Sequence, residues 1–181
     1  EFTGQTIPNL SAQASFVLDL NSSTILFEKN PDLRLHPAST TKIMTAIVSS
    51  EHFTSGDLLT VPPEAVVGGS SMGLTAGERL TFRSLLYGMM LNSGNDAAFT
   101  IAMNYPGGFD AFVAKMNEKV SELGLTDTHF DNPAGFDSSA HYSSAYDLLQ
   151  IAKAASVNVR LGKVFSTKET QVTSIDKSQT H

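Results

Sequence analysis

The chain has 181 residues, 41% of them hydrophobic, and a formal net charge of −6 at pH 7. This length suits one domain with a substantial core. The acidic balance, without any Lys/Arg run, argues against a nucleic-acid partner, which would favour a basic stripe. Cysteine is absent, so disulfides, thiolate metal sites and cysteine nucleophiles are excluded. The five histidines show no metal-ligand spacing, so the sequence contains no metal motif.

Two short strands are predicted near the start of the chain. Residues 14–20 and 24–29 are rich in apolar and β-branched residues, and Asn21-Ser22-Ser23 between them favours a hairpin turn. Two strands alone do not form a stable sheet. We therefore expect them to pair with strands from the C-terminal side.

Helical periodicity dominates the middle of the chain. The helix from Ser39 to about Glu51 has one apolar face, with Ile43, Met44, Ile47 and Val48. Further helices are predicted over about 82–91, 95–103, 109–123 and 145–152, with long loops at 52–80 and 126–142. After Arg160 the pattern returns to strand, at Val164-Phe165 and 171–175. The domain is thus predicted to comprise opening strands (about 14–30), a helical part (39–160) and the start of a return to the sheet (161–181).

Ser39-Thr40-Thr41-Lys42 begins the first predicted helix. Side chains three residues apart on a helix lie on the same face, so a hydroxyl would sit beside an amine. A serine becomes a good nucleophile when a base takes its proton, and lysine can be that base when neutral. Neutrality at pH 7 requires the pKa of the lysine to fall by about 3 units, which burial can supply. The alternative interpretation is that Ser39 only caps the helix and Lys42 is solvated.

Ser93-Gly94-Asn95 is the second candidate motif, in a break between two predicted helices. It would add a hydroxyl and an amide to the same pocket. Both short patterns occur twice, at Ser174–Lys177 and Ser156–Asn158 as well, but those copies lack a comparable helical context. A histidine base for Ser39 is a further alternative. It would use His36 or His141, with Asp137 or Asp147 completing a triad.

Longer segments around these motifs resemble the serine D-alanyl-D-alanine carboxypeptidases, the low-molecular-mass penicillin-binding proteins. The resemblance lies in 36–45 (HPASTTKIMT), 69–78, 85–98 (LLYGMMLNSGNDAA), 132–136 (NPAGF) and 141–148 (HYSSAYDL). It implies an α+β, penicillin-binding protein/β-lactamase-like fold, in which an antiparallel sheet packs against a helical subdomain.

The resemblance also implies a mechanism and a site. Ser39 would attack the bond between the terminal D-alanines of a peptidoglycan stem peptide, with Lys42 as general base. Ser93 would relay a proton to the leaving amine, and Asn95 would bind the substrate amide and Lys42. β-Lactams would acylate Ser39, and no metal or organic cofactor is implied. The location implied is extracytoplasmic, with the signal peptide and any membrane anchor outside this chain.

The sequence departs from the family at one motif, because it contains no Lys-Thr-Gly tripeptide. In the family that motif lies on a strand beside the pocket, so we expect this chain to be a fragment without the C-terminal sheet strands, and weakly active or inactive alone. Two alternatives are a class A β-lactamase and a non-catalytic cell-wall-binding pseudoenzyme. The first needs a carboxylate for deacylation, and the 126–142 loop offers aspartates but no Glu-x-x-x-Asn element.

Overall fold

Four short strands form two antiparallel pairs in this computed structural model, which describes residues 9–175 and 179–181. Strand β1 (Ser15–Asp19) pairs with β2 (Thr24–Lys29), with a bulge between Val17 and Leu18. Strand β3 (Leu58–Thr60) pairs with β4 (Arg79–Thr81). The opening hairpin confirms the strand prediction.

Six α-helices in the described residues surround the core. They are α1 (Thr41–His52), α2 (Phe82–Leu91), α3 (Asn95–Met103), α4 (Gly108–Glu122), α5 (Ala145–Ser156) and α6 (Val159–Phe165). The helices predicted from periodicity correspond to α1–α5. Ser144 caps α5 by accepting a hydrogen bond from the Asp147 amide, as its capping-box pattern indicates. With its small antiparallel sheets the fold is α+β.

Three predictions about local structure were wrong. Strand β3 and the first two residues of β4 lie within the segment 52–80 that was predicted to be irregular. Val164 and Phe165, predicted as strand, end α6 instead. The Asn158 side chain caps this helix by accepting hydrogen bonds from the Arg160 and Leu161 amides. Residues 171–175 contain no strand, although Thr173 forms an isolated bridge with Thr180.

The core lies among the helices. Its fully buried side chains include Met44 of α1, Leu85 and Met89 of α2, Ile101 of α3, Phe112 and Met116 of α4, and Ile151 of α5. The β1–β2 hairpin attaches to α5, where the rings of Phe16 and Tyr146 meet edge-on at 5.5 Å. No helix of the described chain has the length and apolar character needed to cross a bilayer.

Candidate active site

The candidate nucleophile lies on a strained turn. Ser39 is the middle residue of a single 3-10 turn, Ala38–Thr40, which leads directly into α1. Ala38 has a φ of 47°, in the left-handed region that residues other than glycine seldom adopt. Such strain collects at functional sites, where the surrounding structure enforces it. The turn leaves Ser39 exposed while Lys42, one turn later, points inward.

The Lys42 amine is buried and has three partners. Only 1% of the residue is exposed. Its Nζ lies 3.2 Å from Ser39 Oγ, 2.8 Å from Asn95 Oδ1 and 2.8 Å from the Ala134 carbonyl oxygen. A neutral amine has two hydrogens and one lone pair. With the hydrogens on the amide and carbonyl oxygens, the lone pair faces the Ser39 hydroxyl, which is the arrangement a general base requires.

The environment shifts the Lys42 amine toward neutrality. Burial lowers its pKa from 10.5 to about 8, because a charged ammonium loses hydration. The negative charge of Asp96 acts in the opposite direction and limits the fall. At pH 7 roughly one amine in ten is then neutral, compared with fewer than about one in a thousand for an ordinary lysine.

Ser93 brings a second hydroxyl to the nucleophile. It lies between α2 and α3, where a φ of 54° places it in the left-handed region. Its Oγ donates a hydrogen bond to Ser39 Oγ at 2.9 Å. The hydroxyls of Ser93 and Ser39 and the amine of Lys42 therefore form a continuous chain along which protons can move.

Asn95, the first residue of α3, is fixed on both sides of its amide. Its Oδ1 accepts the hydrogen bond from Lys42, and its Nδ2 donates to the Gly68 carbonyl at 2.9 Å. These partners define which end of the amide is oxygen. The structure thus brings together all four side chains that the sequence nominated: Ser39, Lys42, Ser93 and Asn95.

The loop at 132–136 contributes the acceptor that sequence reasoning missed. The Ala134 carbonyl is held against Lys42 because Asn132 Oδ1 accepts hydrogen bonds from the amides of residues 134, 135 and 136, at 2.7–3.1 Å. The loop also binds α1 through Thr45 Oγ1, which donates to the Pro133 carbonyl at 2.7 Å.

Gly135 explains how this loop comes so close to the nucleophile turn. Its φ is 93°, and a Cβ built on it would lie 1.8 Å from the Ala38 carbonyl oxygen. Only glycine permits both the backbone conformation and the contact. Asn132 and Gly135 were therefore the available sequence signals for this part of the site.

The histidine-base alternative does not fit the geometry. His141 is fully buried, and its Nε2 lies 2.8 Å from Thr41 Oγ1 rather than against Ser39. Its Nδ1 faces Asp131 Oδ1 at 2.9 Å, and burial lowers its pKa. The His36 Nδ1 contacts the His141 carbonyl oxygen at 3.0 Å. This cluster anchors the start of α1.

The remaining sequence candidates lie elsewhere. Asp147 accepts hydrogen bonds from the Asp127 amide and the Thr128 hydroxyl. Asn158 caps α6, and Ser156 donates to the Lys153 carbonyl. The second Ser-x-x-Lys pattern, Ser174–Lys177, includes Lys177, which lies outside the described residues. Within residues 9–175 and 179–181, no group of three or more His, Asp or Glu side chains is placed to hold a metal ion.

In this α+β fold a serine hydroxyl lies between a buried lysine amine and a second serine. That arrangement is typical of enzymes that become acylated on a serine, a class that includes the penicillin-binding DD-peptidases. The chain belongs to the Peptidase S11 family, D-alanyl-D-alanine carboxypeptidase, which it matches over residues 2–181.

Named relatives and solved structures agree with this family. The chain is 39% identical over 148 residues to D-alanyl-D-alanine carboxypeptidase DacF of Bacillus subtilis, covering 78% of this chain and 38% of DacF. It is 38% identical over 160 residues to DacA of Escherichia coli K12, covering 82% of this chain and 40% of DacA. The crystal structure of a D-alanyl-D-alanine carboxypeptidase from Mycobacterium tuberculosis H37Rv superposes with a TM-score of 0.91 at 32% identity, covering 99% of this chain and 69% of that one. The chain thus spans about two fifths of the length of DacF and DacA.

Proposed function

We propose that this chain supplies the nucleophile of a serine D-alanyl-D-alanine carboxypeptidase acting on peptidoglycan stem peptides outside the cytoplasm. Family membership and the named relatives support the reaction class. The observation that carries the proposal is the buried Lys42 amine 3.2 Å from Ser39 Oγ, with Ser93 Oγ 2.9 Å from the same atom.

Acylation begins at Ser39. The neutral Lys42 amine takes the hydroxyl proton as Ser39 Oγ attacks the carbonyl carbon between the two D-alanines. The new C–O bond gives a tetrahedral intermediate, and Lys42 becomes an ammonium held by the Asn95 amide and the Ala134 carbonyl. Both are acceptors already in place, so the charge that develops on Lys42 is stabilised without rearrangement.

The leaving amine then takes a proton through Ser93. The Ser93 hydroxyl lies beside Ser39 Oγ, so it can donate its own proton to the D-alanine nitrogen. The Lys42 ammonium then gives Ser93 Oγ the proton that it took from Ser39, which returns the amine to its neutral form. The C–N bond breaks, free D-alanine departs, and the peptide stays as an ester on Ser39. Water then attacks the ester with Lys42 again as base. A β-lactam would acylate Ser39 in the same way, but the resulting ester would not be hydrolysed and would remain on Ser39.

We also propose that further strands pack against β1 and β2. The hairpin leaves Leu20, Ile25 and Leu26 more than half exposed, and two strands seldom form a stable sheet. The sequence lacks the Lys-Thr-Gly tripeptide, and losing one oxyanion donor typically lowers a rate by about 10²–10³. The purified 181-residue chain is therefore expected to release D-alanine from a diacetyl-Lys-D-Ala-D-Ala peptide weakly or not at all.

The test is covalent labelling of the complete gene product with penicillin, followed by intact-mass spectrometry. We expect one acyl adduct that is lost in Ser39→Ala and kept in Ser156→Ala, which alters the exposed serine of the other Ser-x-Asn pattern. Absence of any adduct would contradict the proposal and favour a non-catalytic protein. Rapid turnover of nitrocefin, without a persistent adduct, would contradict it in favour of a β-lactamase.

A further inference from the structure

Asp96 is a buried carboxylate beside the candidate site that no step of the mechanism uses. It is the second residue of α3 and is only 1% exposed. Its two oxygens accept five hydrogen bonds at 2.5–3.0 Å, from the Ser71 hydroxyl and from the backbone amides of Met72, Gly73, Leu74 and Ala97.

These bonds keep Asp96 ionised. Burial alone would raise its pKa, but the hydrogen bonds from Ser71 and the loop amides favour the carboxylate and lower the pKa below 3.8 overall. Its place in the first turn of α3 acts in the same direction, because the N-terminal end of a helix favours negative charge.

The loop that Asp96 binds also holds Asn95. The Ser70 carbonyl accepts a hydrogen bond from the backbone N–H of Asn95 at 2.8 Å, and the Gly68 carbonyl accepts one from the side-chain Nδ2 of Asn95 at 2.9 Å. These two acceptors directly precede the segment 71–74 that is bound to the carboxylate. Fixing the loop therefore fixes the Asn95 amide with its oxygen toward Lys42.

We propose that Asp96 is a positioning residue: it clamps the 68–74 loop onto the start of α3, holds Asn95 against Lys42, and places one negative charge near the amine. This inference rests on the proposed function for its effect on rate. Its electrostatic part concerns the Lys42 amine alone and can be measured without any reaction.

In the part of the chain that the structure describes, the hydrogen-bond partners of Asp96 are a hydroxyl and backbone amides, none of them charged. Lys42 of α1 interacts with Asp96 through their opposite charges, and the 68–74 loop has no charged side chain. Beyond Met72 lie His181 and Glu78, which contact each other at 2.6 Å, with the His181 Nδ1 3.0 Å from the Met72 carbonyl oxygen. Asp96 raises the pKa of Lys42 against the effect of burial, so its removal lowers that pKa further.

Asp96→Asn separates positioning from simple folding support. Both carboxylate oxygens accept hydrogen bonds. In Asp96→Asn the side-chain NH₂ replaces one of these oxygens, so it would repel at least one backbone N–H and release the loop. We expect the plateau rate of acylation by penicillin to fall by about 10–10²-fold, the loss typical of a misplaced catalytic group. We also expect the midpoint of the pH–rate profile to move to lower pH, since the Lys42 amine loses a proton more readily. NMR titration of Lys42 should show the same displacement.

Two matched variants make the result decisive. Ser71→Ala removes one hydrogen bond but keeps the charge, so it should lower the rate by a smaller factor without moving the midpoint. Asp110→Asn changes an exposed carboxylate at the equivalent turn of α4 and should alter neither. A lower plateau in Asp96→Asn with an unchanged Lys42 titration would overturn the inference.

Two further outcomes are informative. If Asp96→Asn does not fold, an unaltered acylation rate in Ser71→Ala would refute the clamp. If the wild-type protein is not acylated at all, the proposed function fails, and the Lys42 titration in Asp96→Asn still decides whether this carboxylate acts on the amine.

Discussion

The helical side of the molecule and its strand side differ sharply in how well their surfaces are covered. Around Lys42 each of the three residues that contact the amine is itself hydrogen-bonded to a further residue. On the β1–β2 hairpin, Leu26 is 64% exposed and Leu20 55% exposed. The site therefore rests on the helices and their loops. The hairpin contributes little to it and presents an apolar surface that suits additional strands.

The largest expected effect is on the acylation rate and comes from Lys42, on the helical side of the molecule. Lys42→Met keeps the length of the buried side chain but removes the base, so acylation by penicillin should fall by about 10²–10⁴-fold, the usual contribution of general base catalysis. Lys153→Met, on the exposed side of α5, is the matched control and should retain the wild-type rate. Stopped-flow or gel-based labelling measures both. A Lys42→Met protein that is acylated as fast as wild type would contradict the role of the amine.

The same substitution should also change how the free energy of unfolding depends on pH. Because the pKa of Lys42 falls from 10.5 to about 8 on folding, the unfolded chain binds more protons between these values, and wild-type stability rises with pH across that window. Below pH 8 the buried charge destabilises the folded state by on the order of 3 kcal/mol, at 1.36 kcal/mol per pKa unit. Lys42→Met lacks this charge but also loses the hydrogen bonds to Asn95 and Ala134, so the prediction concerns the pH dependence: its stability relative to wild type should be more favourable at pH 7 than at pH 10. Denaturant unfolding at several pH values measures it, and a constant difference would argue against the lowered pKa.

Gly135→Ala should be the most destabilising glycine substitution near the site. The added Cβ would collide with the Ala38 carbonyl, and the φ of 93° is unfavourable for alanine, so we expect a loss of about 2–4 kcal/mol together with slower acylation. Gly162→Ala is the matched control, because it lies in α6 with open space around it. That change should be neutral or stabilising by about 0.5–1 kcal/mol. Equal stabilities for the two variants would show that the loop tolerates displacement.

Ser93→Ala should have an intermediate effect. The proton path to the leaving amine loses its hydroxyl, but Lys42 still contacts Ser39. We expect roughly 10²-fold slower release of D-alanine from a stem-peptide analogue by the complete gene product, since general acid assistance is worth at least this much. The unfolding free energy should change little. A loss confined to substrate affinity, with the turnover rate intact, would assign Ser93 to binding instead of proton transfer.

The smallest expected effect lies on the strand side. Leu26→Ser in the 181-residue chain should change the unfolding free energy by at most about 0.5 kcal/mol, as for other exposed positions. Leu85→Ala, in the buried helical core, should cost about 2–5 kcal/mol. If further strands cover the hairpin in the complete gene product, Leu26→Ser should cost clearly more there than in the chain alone. An equal cost in both proteins would mean that nothing covers Leu26.

The sequence could predict the helices because their apolar periodicity is long. In α1 and α2 the apolar residues recur over more than two helical turns, and the buried residues of each helix follow that pattern. Strands β3 and β4 have three residues each, too few for an alternating pattern to be visible. The end of α6 was mistaken for strand because Val164 and Phe165 are a short apolar pair, while the Asn158 cap that starts the helix lies six residues earlier.

The candidate site could be predicted only as far as side-chain chemistry marks it. Ser39 and Lys42 are three residues apart, so their proximity follows from local geometry. The Ala134 carbonyl is a backbone atom that any residue provides, and its approach to Lys42 depends on a loop about ninety residues away. The sequence likewise could not show whether His141 contacts Thr41 or Ser39, because Thr41 and Ser39 are only two residues apart.

The central claim is that the amine of Lys42 is neutral often enough to act as a base near neutral pH. Titration of this side chain by NMR with ¹³C-labelled lysine measures it directly, with Lys42→Met identifying the resonance. We expect a midpoint close to 8. A midpoint near 10.5 would contradict the account.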